Sequence, residues 1–230
     1  RPRILEDGNP EIISMFFHES DSRVIDTWSV SGLCGTGSHD MEVEDIFVPA
    51  HRTASLFSTA PHHDGPLYKF PIFGLLAHGI NAVAMGIARA AIDEFTALAT
   101  QKKGAGGKKS LAQQDLIQME VAKAEATLRA GRALVFETLD SVWSAALKGE
   151  VSLQDRALLR MAATHGTQLA MEAVDRMYHA GGGTSIYTKS PLQKHFRDIH
   201  TATQHIMVTQ ATMKTIGRAL LGLEVKTNQL

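Results

Sequence analysis

Three long segments of the chain carry apolar residues at three- and four-residue steps, and a sequence so patterned has few ways to bury them. Phe73, Leu76, Ile80, Val83, Ile87, Ala91, Phe95 and Leu98 make the first stripe. The second is Ile117, Val121, Ala124, Leu128, Gly131, Val135, Leu139 and Val142; the third is Leu158, Ala162, Leu169 and Met177. Helix boundary signals frame all three. Lys102 and Lys103 put cations at the negative end of the first, with Gly104, Gly106 and Gly107 beyond. Ser110 is an N-cap for the second, Gly149 interrupts it, and Ser152 with Asp155 forms a capping pair for the third. Ser190-Pro191-Leu192-Gln193 then opens a short helix with a serine cap and proline in first position. A last helix has Ile206, Met213, Ile216 and Leu220 on one side and frays through Lys226-Thr227-Asn228. Helices of this length joined by short loops predict a mainly α chain with an antiparallel helical bundle over residues 68–230.

Before residue 68 the period changes to that of strands. Ile12 to Phe17 is a β-branched and aromatic run, Trp28-Ser29-Val30 alternates, and Met41-Glu42-Val43 and Ile46-Phe47-Val48 are short strand candidates stopped by Pro49. Gly32 to Asp40 is a glycine-punctuated turn; its G-x-x-G-x-G spacing is not the dinucleotide-binding one, and no long helix follows it. Too few for a closed sheet, these strands predict a partial β-domain over residues 1–56, joined by a linker at 57–67. In the linker His62, His63 and Asp64 lack the third and fourth spaced ligands that a metal site needs, and none is expected.

A formal net charge of -1 gives no bulk electrostatic reason to expect nucleic acid or an anionic membrane as partner. No apolar run approaches the roughly 18–20 residues that span a bilayer, and no secretory signal is visible. The single cysteine, Cys34, excludes an internal disulfide and suits a reducing cytoplasm, the expected location. The first residue is Arg1 rather than Met, in strand-like text, so a processed or truncated product is expected.

The densest chemistry lies near the end. Gly181-Gly182-Gly183 is either an anion-binding nest of backbone N–H groups or a plain helix C-cap. Fourteen residues after Gly183, Arg197-Asp198 begins a segment that also holds His200 and His205. Adjacent residues point to different neighbours, so the Arg-Asp pair serves either a site or two separate structural ion pairs. His200 and His205, five residues apart, differ by about 140° on a continuous helix and converge only if the chain bends at Thr201-Ala202-Thr203. A neutral imidazole can take a proton from a phenol or give one to a leaving oxygen; the alternative is a buried ring satisfied by backbone. No nucleophile elbow, zincin motif or Walker sequence is present.

Three stretches together resemble the C-terminal part of the acyl-CoA dehydrogenase superfamily. They are Gly32-Leu33-Cys34-Gly35-Thr36-Gly37-Ser38 leading to Asp45-Ile46-Phe47-Val48-Pro49, the long helices rich in small residues, and Gly181 through Asp198. The resemblance implies a mainly α chain, a β-domain remnant over about 1–56 followed by an antiparallel four-helix bundle of that superfamily's C-terminal type. It implies assembly into a homotetramer, with each flavin between β-domain and helices and touched by a neighbouring subunit. Dehydrogenases of this superfamily commonly place a base glutamate where this chain has Ile206, preceded by tyrosine where it has His205. Arg197-Asp198-Ile199-His200 with His205 is instead similar to the oxygenase components of two-component flavin-dependent monooxygenases of the phenol and steroid-phenol hydroxylase type. There a separate flavin reductase supplies reduced flavin (FMN or FAD), which reacts with O2, and a histidine near the ring activates a small aromatic substrate or assists oxygen transfer. By matched position the resemblance implies His205 as acid/base and His200 as its partner or a flavin-site group. It implies Gly182, Gly183 and Arg197 at the cofactor, and Lys102 near its pyrophosphate. Cys34 stands where this branch more often has arginine. The alternatives are an acyl-CoA dehydrogenase-like flavoprotein acting on a thioester with its base elsewhere, and a non-catalytic oligomeric protein. With part of the flavin pocket absent, the 230 residues alone are expected to be inactive.

Overall fold

The computed structural model describes residues 2–4, 10–55, 61, 63–103, 108–225 and 230. Two compact units result, one of Arg1–Val30 with Cys34–Asp64 and one of Ser31–Leu33 with Gly65–Leu230. Residues 65–67 and Ser31–Leu33 group with the helices, while 57–60 and 62 of the linker expected at 57–67 lie outside the described residues. His62, Gly104 to Gly107 and Lys226 to Asn228 lie outside the described residues.

The first unit holds three two-stranded antiparallel pieces. β1 (Pro2–Ile4) pairs with β2 (Pro10–Ile12), β3 (Ser14–Met15) with β6 (Thr53–Ala54), and β4 (Arg23–Ile25) with β5 (Asp40–Glu42). Trp28 to Val30 and Ile46 to Val48, expected as strands, are irregular. Within the unit little covers the apolar side chains: Phe16, Val24 and Met41 are exposed, and Phe47 is 90% exposed. Two-stranded pieces lack the paired faces that bury strand side chains.

The second unit is helical: α1 (Pro66–Lys69), α2 (Ile72–Gln101), α3 (Asp115–Lys148), α4 (Leu153–Gly181), α5 (Pro191–Ala202) and α6 (Thr212–Leu220). Helix α4 is the centre and packs on α2, α3, α5 and α6. Its boundaries follow from its caps. Gly149 ends α3 in the left-handed region at φ 78°, and its N–H satisfies the carbonyl of Ala146. Three residues on, the Asp155 N–H donates to Ser152 Oγ at 3.0 Å while Asp155 Oδ2 accepts from the Ser152 N–H at 2.8 Å. Ser110 caps a single 3-10 turn, Leu111–Gln113, rather than α3 itself. Ser190 precedes α5 without a side-chain cap; Gln193 turns instead to the Thr188 carbonyl and to Arg197. Ile206 lies outside α6, in the turn before it, and is 73% exposed.

The inner face of α2 differs from its most apolar stripe. Gly74, Ala77, Asn81, Ala84, Ala88, Ala91, Phe95 and Ala99 are buried, whereas Leu76 and Val83 are exposed. Small residues win this seam because they let α4 approach: a Cβ on Gly74 would lie 2.1 Å from Leu159 Cδ2, and one on Gly166 of α4 2.8 Å from Asn81 Nδ2. By length and composition α2 would also cross a bilayer, contrary to the expectation that no segment would; here it packs against α4 and α5. The largest cluster joins Phe95, Leu128, Met177, Leu192 and Ile199. Phe95 is fully buried, and truncating such a residue to alanine costs about 3–5 kcal/mol.

Candidate functional site

At the end of α4 the glycine run bends the chain sharply. A Cβ on Gly181 would sit 2.2 Å from Ser185 Oγ, which is buried and donates to the Tyr178 carbonyl at 2.7 Å. Gly182 adopts φ 55° and ψ -141°, a conformation side chains disfavour, and its N–H caps α4 on the His179 carbonyl. Around Gly182 and Gly183 there is open space: a Cβ on either would meet nothing within 4 Å. Lys102, at the C-cap of α2, donates from Nζ to the Gly181 carbonyl at 3.1 Å and to Thr184 Oγ1. The ammonium thus ties together the negative ends of α2 and α4 and keeps one further N–H. The turn is a helix cap and an open backbone surface at once, with a cation beside it. That donor set suits the close approach of an anionic group such as a phosphate.

On α5, Arg197 and Asp198 act on one short segment. Arg197 donates from Nη1 to the Ser31 carbonyl at 2.5 Å and from Nε to Gln193 Oε1 at 2.8 Å. Asp198, 7% exposed, accepts the Leu33 N–H at 2.7 Å and the Lys194 ammonium at 2.6 Å. Burial alone would raise the Asp198 carboxyl; Lys194 and the Leu33 N–H outweigh it and hold the group below its ordinary range. Gly32 fits between because it has no side chain: a Cβ would lie 2.2 Å from the Arg197 carbonyl oxygen. Leu33 follows at φ 52°, an unusual conformation for a branched side chain, held by the bond to Asp198. The two charged residues therefore form a clamp on Ser31–Leu33, Arg197 giving Nη1 to it and Nε to Gln193.

The two histidines take different partners. His200 Nε2 lies 2.9 Å from Asp175 Oδ1 of α4. An ionised carboxylate only accepts, so Nε2 carries the proton and Nδ1 is the basic nitrogen. The ring packs on Phe196 at 4.4 Å, and Phe196 stacks on Tyr178 at 4.3 Å. His205, exposed in the turn after α5, accepts the Met207 N–H on Nδ1 at 3.2 Å. A backbone N–H only donates, so the neutral His205 ring carries its proton on Nε2. His200 is thus not hydrogen-bonded to His205: one imidazole presents a proton acceptor, the other a proton donor. Asp175 escaped the sequence reading because a single acid on an alanine-rich helix carries no local signal. Among the described residues no group of three or more His, Cys, Asp or Glu side chains is placed to hold a metal ion.

Residues 78–210 match the family "Acyl-CoA dehydrogenase, C-terminal domain", and the chain belongs to that family. It is 35% identical over 204 residues to the indole-3-acetate monooxygenase of Pseudomonas putida, covering 88% of this chain and 52% of that protein. With the FADH(2)-dependent resorcinol hydroxylase, oxygenase component, of Rhizobium sp. (strain MTP-10005), it shares 28% identity over 237 residues, 95% of this chain and 58% of that one. Among solved structures, 3-HSA hydroxylase from Rhodococcus sp. RHA1 superposes with a TM-score of 0.87 at 25% identity, covering 98% of this chain and 61% of that one. The chain spans about half the length of the curated relatives it matches.

Proposed function

We propose that this chain belongs to the oxygenase component of a two-component flavin-dependent monooxygenase, which hydroxylates a small aromatic or phenolic substrate using O2 and reduced flavin (FMN or FAD) from a separate reductase. The observation that carries the reading is the turn after α5, where His205 offers Nε2–H and the next side chain is Ile206, with no carboxylate to abstract a proton from a thioester. Relatives bearing monooxygenase and hydroxylase names support it. When bound, flavin supplies the two electrons that let one oxygen atom enter the substrate and the other leave as water.

The chain's own residues have distinct tasks in this account. His200 Nδ1 takes the phenolic proton, and Asp175 orients the ring and stabilises its charged form. His205 Nε2–H donates to oxygen at the reacting face. Lys102 and the open backbone at Gly182 and Gly183 receive the flavin phosphate, while Arg197 positions Ser31–Leu33 beside α5. Exposed Ile72, Leu75, Leu76 and Val83 on α2 support assembly as a homotetramer. The free, exposed thiol of Cys34 suits a reducing cytoplasm.

The test uses the longer protein that carries this chain, supplied with reduced flavin, O2 and a panel of phenols. Hydroxylated product is expected, falling roughly a hundredfold or more in His205→Ala. No product, together with bleaching of bound flavin by an acyl-CoA, would establish the dehydrogenase alternative.

A further inference from the structure

Arg160 lies in α4 and is 4% exposed, with no carboxylate paired to it among the described residues. Its Nη1 donates to the Phe73 carbonyl at 3.1 Å and points at Met207 Sδ at 3.6 Å. Nε is buried without a partner, and Nη2 has none among the described residues. Nε–H and Nη2 together make the side-on edge of a guanidinium, the edge that matches the two oxygens of a carboxylate. Burial disfavours the charge, and among the described residues no anion offsets it. Arginine nonetheless stays protonated in proteins. A buried, charged and geometrically specific donor edge is thus left open.

That residue lines a cavity of about 290 Å³, together with Phe73, Ile206, Met207, Thr209 and Thr212. The size lies just below the range of drug-sized ligand pockets, about 300 Å³ upward, and suits a small ligand. Its walls combine an aromatic ring and apolar side chains with three threonine hydroxyls (Thr209, Thr212 and Thr215) and one cation. Ile206 and Met207 directly follow His205, and the Met207 N–H is the group bonded to His205 Nδ1. The cavity therefore opens on the same turn that carries the proposed proton donor.

We propose that Arg160 is the recognition group for a carboxylate on the substrate, so that the substrate class is a small aromatic carboxylic acid rather than a neutral phenol. The proposal rests on the monooxygenase reading of the His205 turn. Apolar walls take the ring and the Nε–Nη2 edge takes the acid group, with Thr209 or Thr212 able to donate to a remaining lone pair. Arg160 contributes binding and orientation and takes no part in proton transfer.

The test compares phenylacetate with its neutral amide, phenylacetamide, by equilibrium titration of the longer protein. The acid should bind about ten- to a hundredfold more tightly, the range of one charge-assisted bidentate pair. Arg160→Gln should abolish that preference, and Arg160→Lys, which keeps charge without the fork, should retain only part of it. If the variants do not fold, the wild-type comparison still decides. Equal affinity for acid and amide, or a preference that survives in folded Arg160→Gln, overturns the proposal. Turnover with reduced flavin separates it from the reading beneath it. A protein that hydroxylates neutral phenols and shows no acid preference retains the monooxygenase function and refutes the carboxylate site. Acid binding that depends on Arg160 without any oxygenation supports the carboxylate site and refutes the monooxygenase reading.

Discussion

Replacing Asp198 by alanine tests the clamp that fixes Ser31–Leu33 against α5. The carboxylate makes two charge-assisted bonds, and they are unequal. Lys194 is 65% exposed, so solvent screens its side of the pair and the ion pair itself contributes only about 0.5 kcal/mol. The Leu33 N–H bond is the larger part, since alanine leaves that donor without its acceptor at a cost of about 1–3 kcal/mol. Together Asp198→Ala should lose about 1.5–3.5 kcal/mol, which for a chain of 230 residues lowers Tm by roughly 3–14 °C. Asp198→Asn keeps an oxygen for Leu33 and should lose about 1 kcal/mol; Lys194→Met should lose about 0.5 kcal/mol. The pH dependence has a definite sign. The folded carboxyl sits below its ordinary value of 3.8, so its stabilisation is complete above that pH and is lost as pH falls through the folded value. The gap between wild type and Asp198→Ala should therefore close on acidification. Thermal melts by circular dichroism across pH provide the assay. A loss in Lys194→Met as large as in Asp198→Ala, or a gap that does not narrow in acid, would refute the reasoning.

Three further outcomes follow from the same geometry. Gly32→Ala should destabilise by about 1–3 kcal/mol, because the new methyl meets the Arg197 backbone carbonyl rather than a yielding side chain; an unchanged Tm contradicts that contact. Asp175→Asn in the longer protein should lower kcat by roughly ten- to a hundredfold with little change in KM, since the His200 ring keeps its place but loses its charged partner. An equal effect on KM would make Asp175 a binding group instead. For His78, burial pushes the imidazole below its ordinary 6.5, the Gly74 carbonyl opposes this, and nearby Arg160 adds to it. The unfolded chain then takes up a proton that the folded one refuses, so stability falls as pH drops below about 6.5. His78→Asn should flatten that limb, and parallel melting curves for the two proteins would exclude the histidine as its source.

Much of the helical unit was legible because its punctuation is local. Gly149, Ser152 with Asp155, and Pro191 act through their own backbone and nearest neighbours, so chain text alone places the end of α3 and the starts of α4 and α5. The face of α2 was not legible in the same way. Its seam is made of residues chosen for what they lack, and Gly74 and Ala77 give no apolar signal while Leu76 and Val83 give a misleading one. The site divides along the same line. Arg197, Asp198, His200 and His205 could be singled out by their density, but their partners could not, because Ser31, Leu33 and Asp175 are brought in by tertiary packing. Arg160 and His78 were invisible for a related reason. A basic residue on a helix usually reads as solvated, and only the packed neighbours reveal these two as buried.

The most direct measurement is the fate of isotope-labelled dioxygen when the longer protein turns over a hydroxylatable aromatic acid with reduced flavin. The account predicts one labelled oxygen atom in each product molecule, the second in water, and loss of labelled product in His205→Ala. Product without label, or no product from any aromatic compound while an acyl-CoA thioester is oxidised, would contradict it.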